Sequence, residues 1–413
     1  MTDDINPAIP EVKSSGPLQG IRIIDITTAV MGPFATRILG DLGADVIKVE
    51  PPDGDSVRNT GPARHPGMSA IFLCSNRSKR SIVLDLKQPA GREALLKLAE
   101  QADVLVYNVR PQAMARLRLA YQDIAAVNPR IIYCGAYGYR QDGPYAAKSA
   151  YDDLIQGAVG IPSLLAAGGG EPRYAPTAIA DRSVALTVVY AVTAALFHRE
   201  RSGKGQAIEV PMFETMADMV LSDHLYGKVF EPPLGEMGYT RLVSTQRRPF
   251  PTRDGHVCVM PYVDKDWVRV FELIGRQELI SDPRFSGVAA RTRNIEELYA
   301  ILASGLLERT TNEWVQAFDE ADVPAMRMNT LDGLLQDPHL ESTGFFKLEQ
   351  HASEGLLRTT EISTQWSDCP PVVTRPAPRL GEHSREILRE AGYADDEIQR
   401  LITADITRVP PSC

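Results

Sequence analysis

A single carboxylate stands at the junction of two apolar runs in Ala175-Pro-Thr-Ala-Ile-Ala-Asp-Arg-Ser183. Asp181 follows a short run and precedes a longer one, Val184 to Phe197, which contains no charge, Gly or Pro and reads as a buried helix. At or just before the start of that helix, Asp181 meets backbone N–H groups without intrahelical partners and the positive end of the helix dipole. Both keep a carboxylate ionised at neutral pH, and an ionised carboxylate facing a cleft is a nucleophile. The same place suits a plain N-cap. On this stretch alone the cap is the stronger reading.

The preceding chain supplies a scaffold for such a group. Ile21–Ile26 is a short β-branched run with the length of a buried strand, Thr27–Pro33 a turn, and Phe34–Gly43 an apolar helical pattern closed by glycine. Asp45–Glu50 is the next strand, stopped by Pro51-Pro52. The alternation resumes with strands at Arg80–Asp85, Val104–Tyr107 and Arg130–Cys134, and helices at Gly91–Gln101 and Pro111–Leu119. Residues 18 to about 200 therefore read as a doubly wound, Rossmann-like α/β domain with a parallel sheet. The turn Thr27-Thr-Ala-Val-Met-Gly-Pro33 lacks Gly-x-Gly-x-x-Gly, so the dinucleotide fingerprint is missing. Such a sheet directs attention to the loops at the carboxyl ends of its strands.

Further along, Ala207–Val210 is strand-like, Pro211 to about Leu225 a Met-rich helix, and Tyr226–Gln246 loses periodicity. A second region opens at Arg247 with the strand Val257–Met260 and helices near 265–275, 294–308 and 312–321. The whole divides into a flexible N-terminal arm (1–17), a large Rossmann-like domain (18–205 plus 345–413), a linker helix (206–226), a small α+β domain (227–330) and a return linker (331–344).

Composition removes several classes of function. The 413 residues are 44% hydrophobic and 23% charged, with net charge −9, which suits a soluble globular chain and disfavours nucleic-acid or polybasic membrane binding. The five cysteines are scattered and show no Cys-x-x-Cys, and the seven histidines show no metal-binding spacing. Neither a disulfide framework nor a metal site is expected, and a reducing cytoplasm fits. The Val184–Phe197 run is short for a membrane span, and the polar first 17 residues are no signal peptide.

Several stretches, taken in order, resemble the class III CoA-transferases, the family of formyl-CoA transferase, crotonobetainyl-CoA:carnitine transferase and α-methylacyl-CoA racemase. They include Leu18-Gln-Gly-Ile-Arg-Ile-Ile-Asp25, Leu39-Gly-Asp-Leu-Gly-Ala-Asp-Val-Ile-Lys-Val-Glu50, Asn76-Arg-Ser-Lys-Arg-Ser-Ile-Val-Leu-Asp-Leu-Lys87, Gly138-Tyr-Arg-Gln-Asp-Gly-Pro-Tyr145, Tyr151-Asp-Asp-Leu-Ile-Gln156, Arg201-Ser-Gly-Lys-Gly-Gln206 and Pro378-Arg-Leu-Gly-Glu-His383. The likeness runs from about Leu18 to about Gly392. It implies an interlocked homodimer, no permanently bound cofactor, and CoA or acyl-CoA as substrate. It also implies that Asp181 is the nucleophile, forming an anhydride and then an aspartyl-CoA thioester.

For CoA contacts the resemblance points to Val30, Met31, Arg77, Lys79, Arg80, Arg116 and Tyr151, with Lys148 and Lys204 as weaker candidates. A basic lining is what the phosphates of CoA require, while a solvated basic turn is the plainer reading of the same residues. Backbone N–H groups near Ala29-Val-Met31 are placed to steady an oxyanion. Racemases of this family match a His where Tyr151 stands, and a phenol with an ordinary pKa of about 10 is a poor base. Thr28, Val30 and Met31 also depart from formyl-CoA transferase, whose glycine-rich loop has no counterpart here. Arg241, Arg247 and Arg248 stand in its place, as a clamp for the second carboxylate of a dicarboxylic acid or equally as surface charges or dimer contacts. Transferase is the favoured reading, with a racemase and a CoA-binding protein without turnover as alternatives.

Overall fold

The computed structural model describes residues 15–411. All but the end of the arm expected over residues 1–17 lies outside them. The chain forms two compact units. One comprises residues up to Ile155, Thr177–Met216 and Glu341 onward, and the other Gln156–Pro176 and Ala217–Leu340. Residues 156–176 thus group with the second unit, whereas the sequence reading assigns them to the large domain.

The first unit is built on a six-stranded sheet: β1 (Arg22–Ile26), β2 (Asp45–Glu50), β3 (Lys79–Val83), β4 (Val104–Tyr107), β5 (Ile132–Tyr137) and β6 (Gln206–Pro211). All neighbours pair in parallel, in the order β3-β2-β1-β4-β5-β6. The order reverses between β1 and β4, which opens a crevice beyond the carboxyl ends of those strands. Helices covering both faces leave parallel strands buried on both sides, so they read as continuous apolar runs. Ile24 lies between Ile47 and Leu105 and is fully buried with them.

Three helices matter most: α1 (Met31–Asp41), α2 (Pro89–Glu100) and α3 (Ile179–Ser202). Ala94, Leu95 and Leu98 of α2 enter the core beside Ile24, Ile47 and Leu105, and Ile387, Leu388 and Ile398 from the C-terminal helices join the same cluster. A hairpin of β10 (Phe346–His351) and β11 (Gly355–Thr360) also belongs to this unit.

α3 corrects the expectation of a buried helix. Val184, Val188, Val192 and Leu196 are buried, but Leu186, Tyr190 and Phe197 are 55%, 62% and 66% exposed. At 3.6 residues per turn these two sets fall on different faces, and only one packs within the chain. With 24 residues α3 is also long and apolar enough to cross a bilayer, contrary to the shorter run read from the sequence. Its buried face, the ion pair of Arg199 with Asp103 at 2.8 Å, and the ionisable Asp181 mark it as a core helix.

The second unit has a three-stranded antiparallel sheet of β7 (Phe250–Pro251), β8 (His256–Val259) and β9 (Ala325–Arg327). Its core gathers Val257, Trp267, Phe271, Leu298, Trp314 and Phe318 from β8 and the helices Asp264–Leu273, Ile295–Gly305 and Thr311–Glu320.

Candidate active site

The turn joining β1 to α1 is held from below by buried charge. Asp25, fully buried on β1, accepts from the backbone N–H and hydroxyl of Thr27, from the Thr36 hydroxyl and from Lys79 Nζ at 3.0 Å. Burial alone would raise the Asp25 carboxyl; Lys79, Lys48 and the two hydroxyls outweigh it and hold the group down at about 2. Lys48 Nζ donates to the Thr27 carbonyl at 2.9 Å and to Asp55 Oδ2 at 2.7 Å. Asp55 Oδ1 in turn accepts from the Ala29 N–H and the Thr28 hydroxyl. Asn108, just beyond β4, grips both backbone polar groups of Thr28, accepting at 2.9 Å and donating at 2.7 Å.

These contacts fix an unusual backbone. Ala29 has φ 68°, a left-handed conformation costly for a residue with a Cβ. Gly32, one residue into α1, lies so close to Thr27 that an added Cβ would meet the Thr27 Cβ at 2.3 Å. The Ala29 N–H is engaged by Asp55, so it leaves the expected oxyanion set. Val30 and Met31 remain as the cap and first residue of α1, where helix-start N–H groups lack intrahelical acceptors.

A cleft of about 360 Å³ opens over this turn. Its wall is drawn from the carboxyl ends of the strands: Thr28–Met31 after β1, Asn108–Arg110 after β4, Ala136–Gly138 at the end of β5 and Met212 after β6. Lys148–Asp152 and Asp181 complete it. The cleft therefore brings together Thr28, Val30, Met31, Lys148, Tyr151 and Asp181 of the expected residues. Tyr151 is 71% exposed, which excludes packing within the core of its own chain.

Asp181 is not an N-cap. Ala178 holds that position with no side-chain cap, and Asp181 is the third residue of α3. Its backbone N–H donates to Asp152 Oδ2 at 2.9 Å, so a carboxylate from another segment satisfies the helix start and the Asp181 side chain is left for the cleft. Burial and the nearby Asp152 carboxylate push the Asp181 carboxyl up to about 6, against the opposing pull of Arg182. The guanidinium of Arg182 lies over the Phe34 ring at 4.1 Å and ties α3 to α1.

The other expected cations lie outside this cleft. Lys79 is fully buried on Asp25; Arg80 is bound by Asp45, Glu386 and Glu390; and Arg77 clasps Asp41 and donates to the Thr360 carbonyl. Lys79 and Arg80, engaged by carboxylates in the interior, are poorly placed to take a phosphate, which corrects their expected role, while Arg77 lines a different pocket with Arg37 and Cys74. Arg116 and Lys204 are exposed elsewhere. Arg241, Arg247 and Arg248 line a separate cavity wholly within the second unit. Sequence reasoning missed Arg110, an exposed cation on the cleft whose guanidinium donates to the Ser149 hydroxyl at 3.1 Å. It also missed Asp152 and Asn108. Asn108-Val-Arg110 directly after a strand was the available signal for two of the three.

This architecture agrees with that of known proteins. The signature described as CoA-transferase family III matches residues 18–384, and the chain belongs to that family. The succinate–glutarate CoA-transferase of Agrobacterium fabrum (strain C58) is 32% identical over 385 residues, spanning 91% of this chain and 95% of its own. The succinyl-CoA:glutarate CoA-transferase of Mus musculus is 31% identical over 398 residues, spanning 95% and 91%. The crystal structure of a CAIB/BAIF family protein from Brucella suis superposes with a TM-score of 0.76 at 30% identity, covering 91% of this chain and 100% of that one.

Proposed function

We propose that the protein moves CoA from an acyl-CoA thioester to a free carboxylic acid, with Asp181 as the covalent nucleophile. The observation that carries this reading is a partly buried carboxylate, uncommitted to capping its own helix, on the wall of a cleft at the strand-order reversal. One Asp181 oxygen attacks the thioester carbonyl, the C–S bond breaks, and CoA leaves as thiolate with a mixed anhydride on Asp181. The thiolate attacks the Asp181 carbonyl carbon of that anhydride, expelling the donor acid and leaving an aspartyl-CoA thioester. The acceptor carboxylate then attacks that carbon, the C–S bond breaks and CoA leaves again as thiolate, forming an anhydride between Asp181 and the acceptor. Attack of the thiolate on the acceptor's carbonyl forms the new CoA ester and frees Asp181. No proton is gained or lost, and the thioester's free energy is kept throughout.

The helix-start N–H groups of Val30 and Met31 stabilise the oxyanions. Arg110 and Lys148, exposed at the cleft, take the phosphates of CoA in place of the buried Lys79 and Arg80. CoA enters and leaves as substrate, so no resident cofactor is required. The acceptor is a dicarboxylic acid, a reading supported by the dicarboxylates that the relatives are named for. The active assembly is an interlocked homodimer, and the scattered cysteines fit a cytoplasmic protein. The racemases this chain resembles match a His where Tyr151 stands, and that His is absent here.

Mass spectrometry tests the covalent step. Incubation with an acyl-CoA donor followed by hydroxylamine or borohydride marks Asp181 in the wild type and not in Asp181→Asn. Absence of the mark, with exchange of the α-proton in deuterated water, would instead establish racemase chemistry.

A further inference from the structure

The second unit contains a cavity of about 610 Å³ within its own fold, beside β8 and β9. Arg241, Arg247 and Arg248 all line it, and among the described residues none of the three forms an ion pair. Elsewhere in the unit Arg253, Arg269, Arg276, Arg284 and Arg291 each hold a carboxylate, while Arg293, Arg309 and Arg327 also form no ion pair among the described residues but do not line the cavity. In a chain of net charge −9 there is no shortage of partners. Arg241 is half-buried and oriented by the hydroxyls of Tyr239 and Tyr299, which accept from its guanidinium, while its Nε is buried without a partner. Collecting three unneutralised guanidinium groups around one space costs electrostatic energy unless an anion enters it.

The walls narrow the choice of anion. Val259, Met260 and Met326 offer aliphatic surface. The lining aromatics, Phe250 and Tyr299, are buried against each other edge-to-face at 5.7 Å and present no free ring for a base to stack on. Apolar walls with a few fixed polar groups are the ordinary make-up of a small-ligand site. We propose that this cavity is a binding site for an aliphatic dicarboxylate, its carboxylates taken by Arg241, Arg247 and Arg248 and its methylenes by the Val259–Met260 wall. The identity of the ligand as a reactant rests on the reading of the protein as a transferase to an acid; the site itself does not.

Calorimetric titration of the full chain carrying Asp181→Asn tests this directly, since that background separates binding from turnover. The probes are glutarate, butyrate as its singly charged analogue, and adenosine 3′,5′-diphosphate as the source of CoA's phosphates. Glutarate is expected to bind at least tenfold more tightly than butyrate, and Arg241→Gln to remove that margin. Should Arg241→Gln fail to fold, the exposed Arg247→Gln/Arg248→Gln pair carries the same expectation. Equal affinity for glutarate and butyrate, unchanged binding in folded arginine variants, or displacement of glutarate by adenosine 3′,5′-diphosphate would each overturn the assignment. Turnover by Asp181→Asn would sink the nucleophile instead and leave the cavity's binding as measured.

Discussion

At the scale of the residue, Asp181 is tuned toward a weaker acid than a free aspartate, from 3.8 to about 6. Burial and the Asp152 carboxylate disfavour its charged form. At pH 7 it is still roughly nine-tenths ionised, and a more basic carboxylate is a better nucleophile toward a thioester. The proposed cycle moves no proton, so the acid limb of kcat/KM belongs to Asp181. Activity is expected to fall as pH drops through about 6; a limb near 4 would deny the tuning. The same shift has a cost in stability. The folded chain holds this proton more tightly than the unfolded one, so its contribution declines as pH rises from 3.8 to about 6. Asp181→Asn should abolish turnover and yet stabilise the fold at pH 7 by up to about 3 kcal/mol. That gain should vanish below pH 4, which urea titrations at the two pH values would read. In the sequence the place of Asp181 between two apolar runs favoured a plain N-cap, and only the resemblance to the CoA-transferases singled it out as a nucleophile. Asp152 was not legible, because its role depends on a contact across 29 residues that no local pattern announces.

At the scale of the element, the β1–α1 turn is the part of the site that needs most support. A left-handed Ala29 persists only because Asp55, Lys48 and Asn108 over-determine it. The strands were readable as β-branched runs, since parallel strands buried on both faces have that composition. The basic stretch Arg77–Arg80 misled for a physical reason. Clustered cations look solvated or phosphate-binding until register is known. In the sheet Lys79 lies opposite Val46, with Asp25 on the next strand as its counter-ion. Removing one partner of such a pair strands the other charge in the interior. Asp25→Asn should therefore destabilise the first unit by about 3–5 kcal/mol. It should also loosen the turn above it, raising the hydrogen-exchange rate of Thr27–Met31 amides. A loss below 1 kcal/mol would mean that Lys79 relaxes to its neutral form, a real competitor because burial, only partly offset by Asp25, already pulls it down to about 8.

At the scale of the whole molecule, the exposed apolar surface asks for a cover. Leu186, Tyr190 and Phe197 line the outer side of α3, and Leu348 and Leu356 point outward from the β10–β11 hairpin at 68% and 53% exposure. The second unit leaves Leu234 and Leu331 76% and 86% exposed. Scattered exposed leucines are ordinary, but a helix face carrying two exposed aromatics, Tyr190 and Phe197, is an interface composition. Uniform apolarity over Val184–Phe197 read as a buried helix, but a run without polar positions could not show that only one of its faces packs within the chain. Coverage by a second copy gives a measurable distinction between an ordinary and an interlocked dimer. Sedimentation equilibrium should give twice the chain mass, and Tyr190→Glu with Phe197→Glu should lower the thermal midpoint. An ordinary dimer exchanges subunits at its dissociation rate, in minutes to days. Two chains each threaded through a ring formed by the other cannot separate without unfolding, so exchange is limited by the unfolding rate. Tagged and untagged protein mixed under native conditions should then form no mixed dimer, while the same mixture refolded together from urea should form it freely. Mixed dimers appearing within minutes of native mixing would rule out the threaded arrangement while leaving a dimer in place.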